Sequence, residues 1–126
     1  MARTMNRATI IGFLGADPEV RRMQSGEPVV SFSLATKESW KDKQGEWKDR
    51  TEWHHIVIYN KHLCSVAEKY LVKGSHVYVE GPIQTRSWTD KDGLEHSRTE
   101  IVLQPYNGTL NILDANSSED DDNGQE

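Results

Sequence analysis

The sequence has a single cysteine, Cys64, among its 126 residues. One thiol excludes an intramolecular disulfide and any zinc site built from several cysteines, and it suits a reducing compartment. Long hydrophobic runs are also missing, because Gly12 and Gly15 interrupt the short apolar run that begins at Ala8. No segment has the length of a membrane span or of a signal peptide, so we expect a cytoplasmic protein.

The side-chain groupings that catalysis requires are absent from the sequence as well. His54 and His55 are adjacent, so in a strand they point to opposite faces and do not converge on one metal ion. His62 and Cys64 are two residues apart on a predicted helix, a spacing that keeps their side chains apart. Neither a glycine-rich phosphate loop nor a pair of carboxylates suited to acid–base work is present. We therefore expect no enzyme activity, no metal ion and no cofactor.

The formal net charge is -5 at pH 7, but the acidic residues are concentrated at one end of the chain. Residues 114–126 contain six of the 20 acidic residues and none of the 15 basic residues, which leaves residues 1–113 at +1. This end has no large apolar residue after Leu113 and cannot bury enough surface to fold. The sequence therefore predicts one folded domain over 1–113 and a disordered acidic tail over 114–126.

The apolar pattern of residues 1–113 is mostly that of strands, which we predict over 8–14, 29–36, 51–60, 76–83 and 98–103. One amphipathic helix is predicted between the third and fourth strands. Its apolar residues recur at helical spacing and are Leu63, Val66, Ala67, Tyr70 and Leu71. The charged segment 37–50 is expected to be a long, mobile hairpin loop, and 90–93 a hairpin turn. This order predicts the oligonucleotide-binding (OB) fold, a five-stranded, partly open Greek-key barrel that receives oligonucleotides or oligosaccharides.

All four tryptophans, Trp40, Trp47, Trp53 and Trp88, have polar neighbours in the sequence. Alternation along the third strand places Trp53 and Tyr59 on one face and leaves Ile56 for the core. Six residues at about 3.3 Å each separate the two rings by roughly 20 Å. Rings at that distance do not stack on each other, but they are well placed to stack on different bases of an extended nucleic-acid strand.

Cations accompany these rings along the sequence. Lysines flank Trp40 and Trp47, Lys61 follows Tyr59, and Arg86 precedes Trp88. Stacking on bases and neutralisation of phosphates together indicate binding of single-stranded nucleic acid. A carbohydrate also stacks on aromatic rings, but a neutral sugar gives no reason for lysine and arginine to accompany them.

Six segments occur in a characteristic order and spacing: NRATIIGFLGADPEVR (6–21), LAT (34–36), TEWH (51–54), YLVKGS (70–75), VYVEG (77–81) and TRSWTD (85–90). Through them the chain resembles the bacterial single-stranded DNA-binding proteins of the homotetrameric OB-fold family, over almost all of residues 5–112. The resemblance implies sequence-independent binding and protection of single-stranded DNA during replication, recombination and repair, with a nucleoid-associated location. A protein-interaction module of the primosome type, with weak or no DNA binding, remains the alternative.

The resemblance also implies roles for individual residues. The positions of base-stacking aromatics are occupied by Trp40, Trp53, Tyr59 and Trp88. The positions of phosphate-binding cations are occupied by Arg3, Arg7, Arg21, Lys43, Lys48, Lys61, Lys73 and Arg86. Subunit contacts in a homotetramer are implied for His54, His76 and Tyr78. The family docks replication, recombination and repair proteins through an acidic tail with a hydrophobic tip, whereas this sequence ends Asn123-Gly124-Gln125-Glu126 without proline or phenylalanine.

Overall fold

The structure is a computed structural model that describes residues 3–114. Within this range the chain forms eight strands and one helix. In order they are β1 (Ala8–Leu14), β2 (Glu19–Arg22), β3 (Pro28–Lys41), β4 (Trp47–Ile58), α1 (Lys61–Tyr70), β5 (His76–Gly81), β6 (Ile83–Thr89), β7 (Glu95–Leu103) and β8 (Thr109–Ile112). The predicted acidic tail lies outside the described residues except for Asp114, whose carboxylate accepts a hydrogen bond from the backbone N–H of His76.

The strands form one curved sheet in the order β6-β7-β4-β3-β1-β5-β8, with β2 paired to β3. The pair β4–β7 is parallel, and the other neighbouring pairs are antiparallel. The predicted mainly β fold with a single helix is confirmed. Its strands are more numerous than predicted, because the predicted strand over 76–83 is divided at Pro82 into β5 and β6 and because β2 and β8 were not predicted.

The core consists of the apolar side chains on one face of the strands, with helix α1 packed against them. Alternation buries Leu34 on β3 and both Ile56 and Ile58 on β4 completely. Helix α1 contributes Cys64 and Ala67 to the same cluster. The helix begins after Asn60, whose side-chain Oδ1 accepts a hydrogen bond from the backbone N–H of Leu63 and so caps the first turn.

The segment 37–50 is mostly a two-stranded ribbon, so the prediction of a long loop was wrong. Strand β3 continues to Lys41 and β4 begins at Trp47, and the two are paired without a break from Val30 and Ile58 to Lys41 and Trp47. The turn between them is closed by Asp42, whose Oδ1 accepts hydrogen bonds from the backbone N–H groups of Gln44 and Glu46. Both faces of this ribbon are exposed, so the sequence carries no apolar alternation there by which strands are recognised.

A second ribbon is formed by β6 and β7, which are paired from Ile83 to the turn at Asp90. The predicted hairpin turn over 90–93 is confirmed. Asp90 accepts hydrogen bonds from the backbone N–H groups of Asp92 and Leu94, and Gly93 has a φ of 81°, a conformation that favours glycine.

Candidate nucleic-acid interface

A groove of about 460 Å³ runs over the face of β4 that does not contribute to the core. Trp53, His55 and Val57 line it, as alternation along this strand predicts. Cross-strand pairing places Ser33 opposite His55 on one side. On the other side, the parallel pairing places Glu100 of β7 opposite the same histidine. The open face is therefore built from β3, β4 and β7 together.

Trp53 is half exposed in this groove, at 50% of its surface. Its ring lies against Gly15, just after β1, so closely that a Cβ atom there would be 2.5 Å from Cζ3 and 2.7 Å from Cη2 of the ring. The backbone N–H of Gly15 donates a hydrogen bond to the carbonyl of Ser33 over 3.1 Å. Because Gly15 has no side chain, the indole ring can lie against its backbone, and one part of the ring remains open to a ligand.

Trp88, on β6, is surrounded by cationic and aromatic groups. The guanidinium groups of Arg86 and Arg98 lie 4.7 Å and 5.8 Å from its ring centroid. The ring of His96 stacks on it at 5.4 Å and 20°. Asp90 lies 2.7 Å from Nε2 of His96, and this hydrogen bond lowers the pKa of Asp90. The cluster offers a base and its phosphate an aromatic surface and positive charge in one place.

Arg86 is also bonded to the floor of the groove. Its Nη2 donates to Oε2 of Glu100 over 3.0 Å, and this bond raises the pKa of the guanidinium. Partial burial lowers the pKa of His55, and the positive charge of Arg98 lowers it further. Ser33 Oγ lies 3.4 Å from Nδ1 of the same histidine. The groove is therefore lined by carboxylates as well as by a cation: Asp17, Glu19 and Glu100 lie along it with Arg98, and Arg86 neutralises Glu100.

Tyr59 lies just beyond the end of β4 and lines a second groove with three cations, Arg21, Arg22 and Arg86. Arg21 comes from the short strand β2, which pairs with β3 at this end of the sheet. The structure therefore brings two of the sequence-predicted phosphate-binding residues to one of the predicted stacking residues. Arg86 links this groove to Trp88.

Trp40 is not brought together with these rings. It lies on β3 opposite Lys48, and alternation gives it the orientation of the buried Leu34. Alternation along β4 instead gives Trp47 the orientation of Trp53, and Lys41 Nζ lies 5.7 Å from the Trp47 ring. Trp47, which was not among the predicted base-stacking residues, is therefore the tryptophan of this ribbon that points to the same side as Trp53.

The other predicted phosphate-binding residues are spread over several surfaces. Lys48 Nζ lies 3.7 Å from both Asp42 and Glu46, so it already has anionic partners. Arg7 lies 3.8 Å from Glu80. The remaining ones are exposed and lie in the N-terminal segment, at the tip of the first ribbon, at the start of α1 and after α1: Arg3, Lys43, Lys61 and Lys73. None of these six lines the groove around Trp53 in the described part of the chain.

The residues predicted to form subunit contacts lie in two places. The ring of His76 stacks on Phe13 at 4.4 Å, and Tyr78 lies opposite Ile11 in the pairing of β1 with β5. Ile11 and Phe13 are 52% and 53% exposed, so this side of the sheet presents apolar surface. His54 lies elsewhere: its Nε2 is 2.9 Å from Thr36 Oγ1, on the other side of β4 from the groove.

Five groups in or beside the grooves were not predicted as site residues, namely Arg22, His55, His96, Arg98 and Glu100. On β7, His96, Arg98 and Glu100 are spaced by two and so share a face. That spacing is visible in the sequence, but the predicted strand began only at residue 98. Their contribution also depends on the pairing of β7 with β4 and β6, which the spacing does not reveal.

Cys64 has no place in this interface, because it is buried and its thiol lies 3.2 Å from the carbonyl of Ile58. Burial raises the pKa of that thiol. Among residues 3–114, no three His, Cys, Asp or Glu side chains are grouped so as to hold a metal ion. Nor does this range contain a helix long and apolar enough to cross a membrane.

The comparisons with known proteins all point to the same family. The model of the family described as "Single-strand binding protein family" matches residues 5–110. The single-stranded DNA-binding protein of Rhizobium meliloti (strain 1021) is 46% identical over 120 residues, covering 94% of this chain and 69% of the relative. That of Rickettsia felis is 47% identical over 119 residues, covering 94% of this chain and 78% of the relative. A solved structure described as "Plasmodium falciparum SSB complex with ssDNA" superposes with a TM-score of 0.82 at 38% identity, covering 90% of this chain and 99% of that one.

Proposed function

The chain belongs to the single-strand binding protein family, and on that premise we propose that it binds single-stranded DNA without sequence preference. The observation that carries the proposal is the open face of β4, where the half-exposed Trp53 lies in a groove that Arg98 also lines. An aromatic ring beside cations on a sheet face supports base stacking with phosphate neutralisation. Stacking tolerates any base, because every base has a π-face.

The mechanism needs no chemical step. Bases stack on Trp53, Tyr59 and Trp88, while Arg21 and Arg86 neutralise the phosphates between them. Because the grooves at Trp53 and Tyr59 both open on the same side of the sheet, one extended strand can pass over both. The protein acts as a non-catalytic binding protein, protecting the strand during replication, recombination and repair at the nucleoid.

Trp40 and several predicted phosphate contacts lie off this path, so their participation requires the DNA to pass around the ribbon and onto other surfaces. The exposed positions of Arg3, Lys43, Lys61 and Lys73 support such wrapping. Arg7 and Lys48 must exchange carboxylate partners for phosphate, which is a weaker gain. We rank Arg21 and Arg86 first among the phosphate contacts because both line the groove at Tyr59, although Arg86, like Arg7 and Lys48, already has a carboxylate partner, Glu100.

The protein is proposed to act as a homotetramer. Ile11 and Phe13 leave an apolar strip exposed on β1, and His76 and Tyr78 of β5 extend it. An apolar strip of this kind is a usual feature of subunit interfaces. Replication, recombination and repair proteins are the proposed partners of the acidic tail, which lies outside the described part of the chain after Asp114.

The test is intrinsic tryptophan fluorescence during titration with oligo-dT and with a duplex of equal length, each at low and moderately high salt. Strong quenching by oligo-dT, a weak response to duplex and weaker binding at high salt are expected. Trp53→Ala and Trp88→Ala should each lose about 1 to 3 kcal/mol of binding while the domain stays folded. If neither nucleic acid changes the signal or binds in a mobility assay, the protein-interaction alternative replaces this proposal.

A further inference from the structure

Tyr106 lies in the short loop between β7 and β8 and is 98% exposed, more than any other large apolar or aromatic residue in the described part of the chain. No stacking, hydrogen-bond or core contact within the described residues accounts for its ring. We propose that Tyr106 is an additional base-stacking site for single-stranded DNA, placed at the end of the open face. This inference rests on the proposed function and extends it to a residue outside both grooves.

The backbone under this tyrosine is held in one shape. Gln104 and Asn107 form two backbone hydrogen bonds with each other, each 3.2 Å long, and so close a tight turn around Pro105 and Tyr106. Gly108 follows and lies against Leu103 so closely that a Cβ atom there would be 2.8 Å from the Leu103 Cα. A ring presented by an ordered turn loses little further entropy when a base stacks on it.

Asn60 joins this turn to the helix. Its Oδ1 caps α1 by accepting from the Leu63 N–H over 3.1 Å, and its Nδ2 donates to the carbonyl of Pro105 over 3.4 Å. One amide therefore holds the helix start and the turn together. Lys61, the first residue of α1 and exposed, follows Asn60 directly in the chain and brings a positive charge to the same end of the molecule.

The position of the turn extends the proposed DNA path. The backbone N–H of Tyr59 donates to the carbonyl of Leu103 over 2.9 Å, so the ends of β4 and β7 lie side by side. Tyr106 is three residues further, and therefore its Cα lies within roughly 10 Å of the Leu103 Cα. A strand that leaves Tyr59 in this direction meets Tyr106 within a few nucleotides, with Lys61 nearby for a phosphate.

The surroundings of Tyr106 favour a base over a protein partner. Its chain neighbours in the turn are Gln104, Pro105 and Asn107, so the turn itself supplies no continuous apolar patch of the kind found in a protein interface core. The exposed apolar strip that fits a second copy of this chain lies on β1, at Ile11 and Phe13. A single ring between polar groups and a lysine is suited to a base with its phosphate.

The experiment compares the full-length chain with Tyr106→Ala, Tyr106→Phe and Tyr106→Leu, using oligo-dT of increasing length. Loss of one stacked base lowers affinity on the order of 10-fold, for oligonucleotides long enough to reach the turn. Tyr106→Phe should bind like the wild type, whereas Tyr106→Leu, which keeps apolar surface but no π-face, should resemble Tyr106→Ala.

A variant of Asn60 tests whether the shape of the turn matters. Asn60→Asp keeps a helix cap but lacks the amide donor to Pro105, so it should give a smaller loss of affinity, and that loss should disappear in the Tyr106→Ala background.

Two further readouts separate the outcomes. Ultraviolet crosslinking to oligonucleotides containing 5-bromodeoxyuridine should label the peptide that contains Tyr106, and sedimentation should show the same oligomeric state for wild type and Tyr106→Ala. Unchanged affinity at every length, or dissociation of the assembly in Tyr106→Ala, overturns the inference. If the wild type binds oligo-dT and Trp53→Ala binds it more weakly, the proposed function stands even when the inference about Tyr106 fails. A wild-type chain that binds no oligonucleotide refutes both.

Discussion

Arg86 donates a hydrogen bond to Glu100 over 3.0 Å in a groove where phosphates are proposed to bind. Glu100 is only 4% exposed, one of the few buried polar residues in the described part of the chain. The pairing supplies the buried carboxylate with a counter-charge and holds the guanidinium 4.7 Å from the Trp88 ring centroid. Glu100 therefore acts as a positioning residue, and it connects the groove floor to the stacking site on β6.

Removing the arginine should destabilise the fold as well as weaken DNA binding. In Arg86→Ala the Glu100 carboxylate stays buried without its partner, which costs about 1 to 2 kcal/mol once the half-exposed position of Arg86 is allowed for. Urea unfolding measures this loss. The double variant Arg86→Ala/Glu100→Gln should recover most of the stability, because no charge is left unpaired. If the double variant is as unstable as the single one, the pair has no such role.

The place of Trp53 depends on the missing side chain at Gly15, and this gives a second prediction. Gly15→Ala puts a methyl group 2.5 Å from the indole, so the ring must move. We expect weaker oligo-dT binding, by no more than the 1 to 3 kcal/mol attributed to a stacked base, in a protein that remains folded. The control is a double-mutant cycle with Trp53→Ala, in which Gly15→Ala should add nothing further. Fully additive losses would mean that Gly15 acts by another route.

The barrel itself was accessible from the sequence, because its strands bury one face. The buried Ile56 and Ile58 alternate with the groove residues His55 and Val57, so strand, core face and open face all follow from a period of two. The helix was recognised for the same reason, with an apolar face at helical spacing. Strands and helices with one buried face can therefore be predicted from the spacing of their apolar residues.

The ribbons and the details of the site could not be predicted from apolar periodicity. Both faces of the ribbon from Glu38 to Arg50 are exposed, and that segment therefore has no apolar alternation. The grouping of Arg86, Trp88 and Glu100 depends on the register between β6 and β7, which hydrogen bonds fix across the sheet. Such cross-strand neighbours are far apart in sequence. Tyr106 was missed because an exposed ring in a turn leaves no periodic signal.

DNA binding should become stronger as the pH falls below neutrality, through His55. Partial burial and Arg98 hold the pKa of this histidine below its ordinary value of about 6.5, so it is neutral in the free protein at pH 7. A phosphate placed beside it favours the imidazolium and raises its pKa in the complex. The complex then binds more protons than the free protein, and affinity increases as the pH falls through the pKa of the complex.

The control for this pH effect is His55→Gln, which should flatten the pH profile of oligo-dT affinity between pH 8 and about 5.5. Glu100 and His54 also act on His55 electrostatically and are kept unchanged in this comparison. His96 is the other histidine beside the site, 2.7 Å from Asp90 and stacked on Trp88, so His96→Gln is measured in parallel. A profile that persists in His55→Gln and disappears in His96→Gln would assign the effect to His96 instead.

The exposed strip on β1 predicts how the assembly can be taken apart. Ile11 is 52% exposed and lies opposite Tyr78, so Ile11→Asp places a charge in the middle of the proposed interface while the core of one subunit is untouched. Light scattering after size-exclusion chromatography should then give a smaller particle, and the melting temperature should depend less on protein concentration than in the wild type, because association no longer stabilises the fold. Ile11→Asn, which is polar but uncharged at the same position, is the matched control for the charge. Because oligo-dT short enough for one open face does not need the assembly, its affinity should change little in Ile11→Asp, whereas a strand long enough to wrap several subunits should bind more weakly. An unchanged particle size would show that this strip is not the subunit contact.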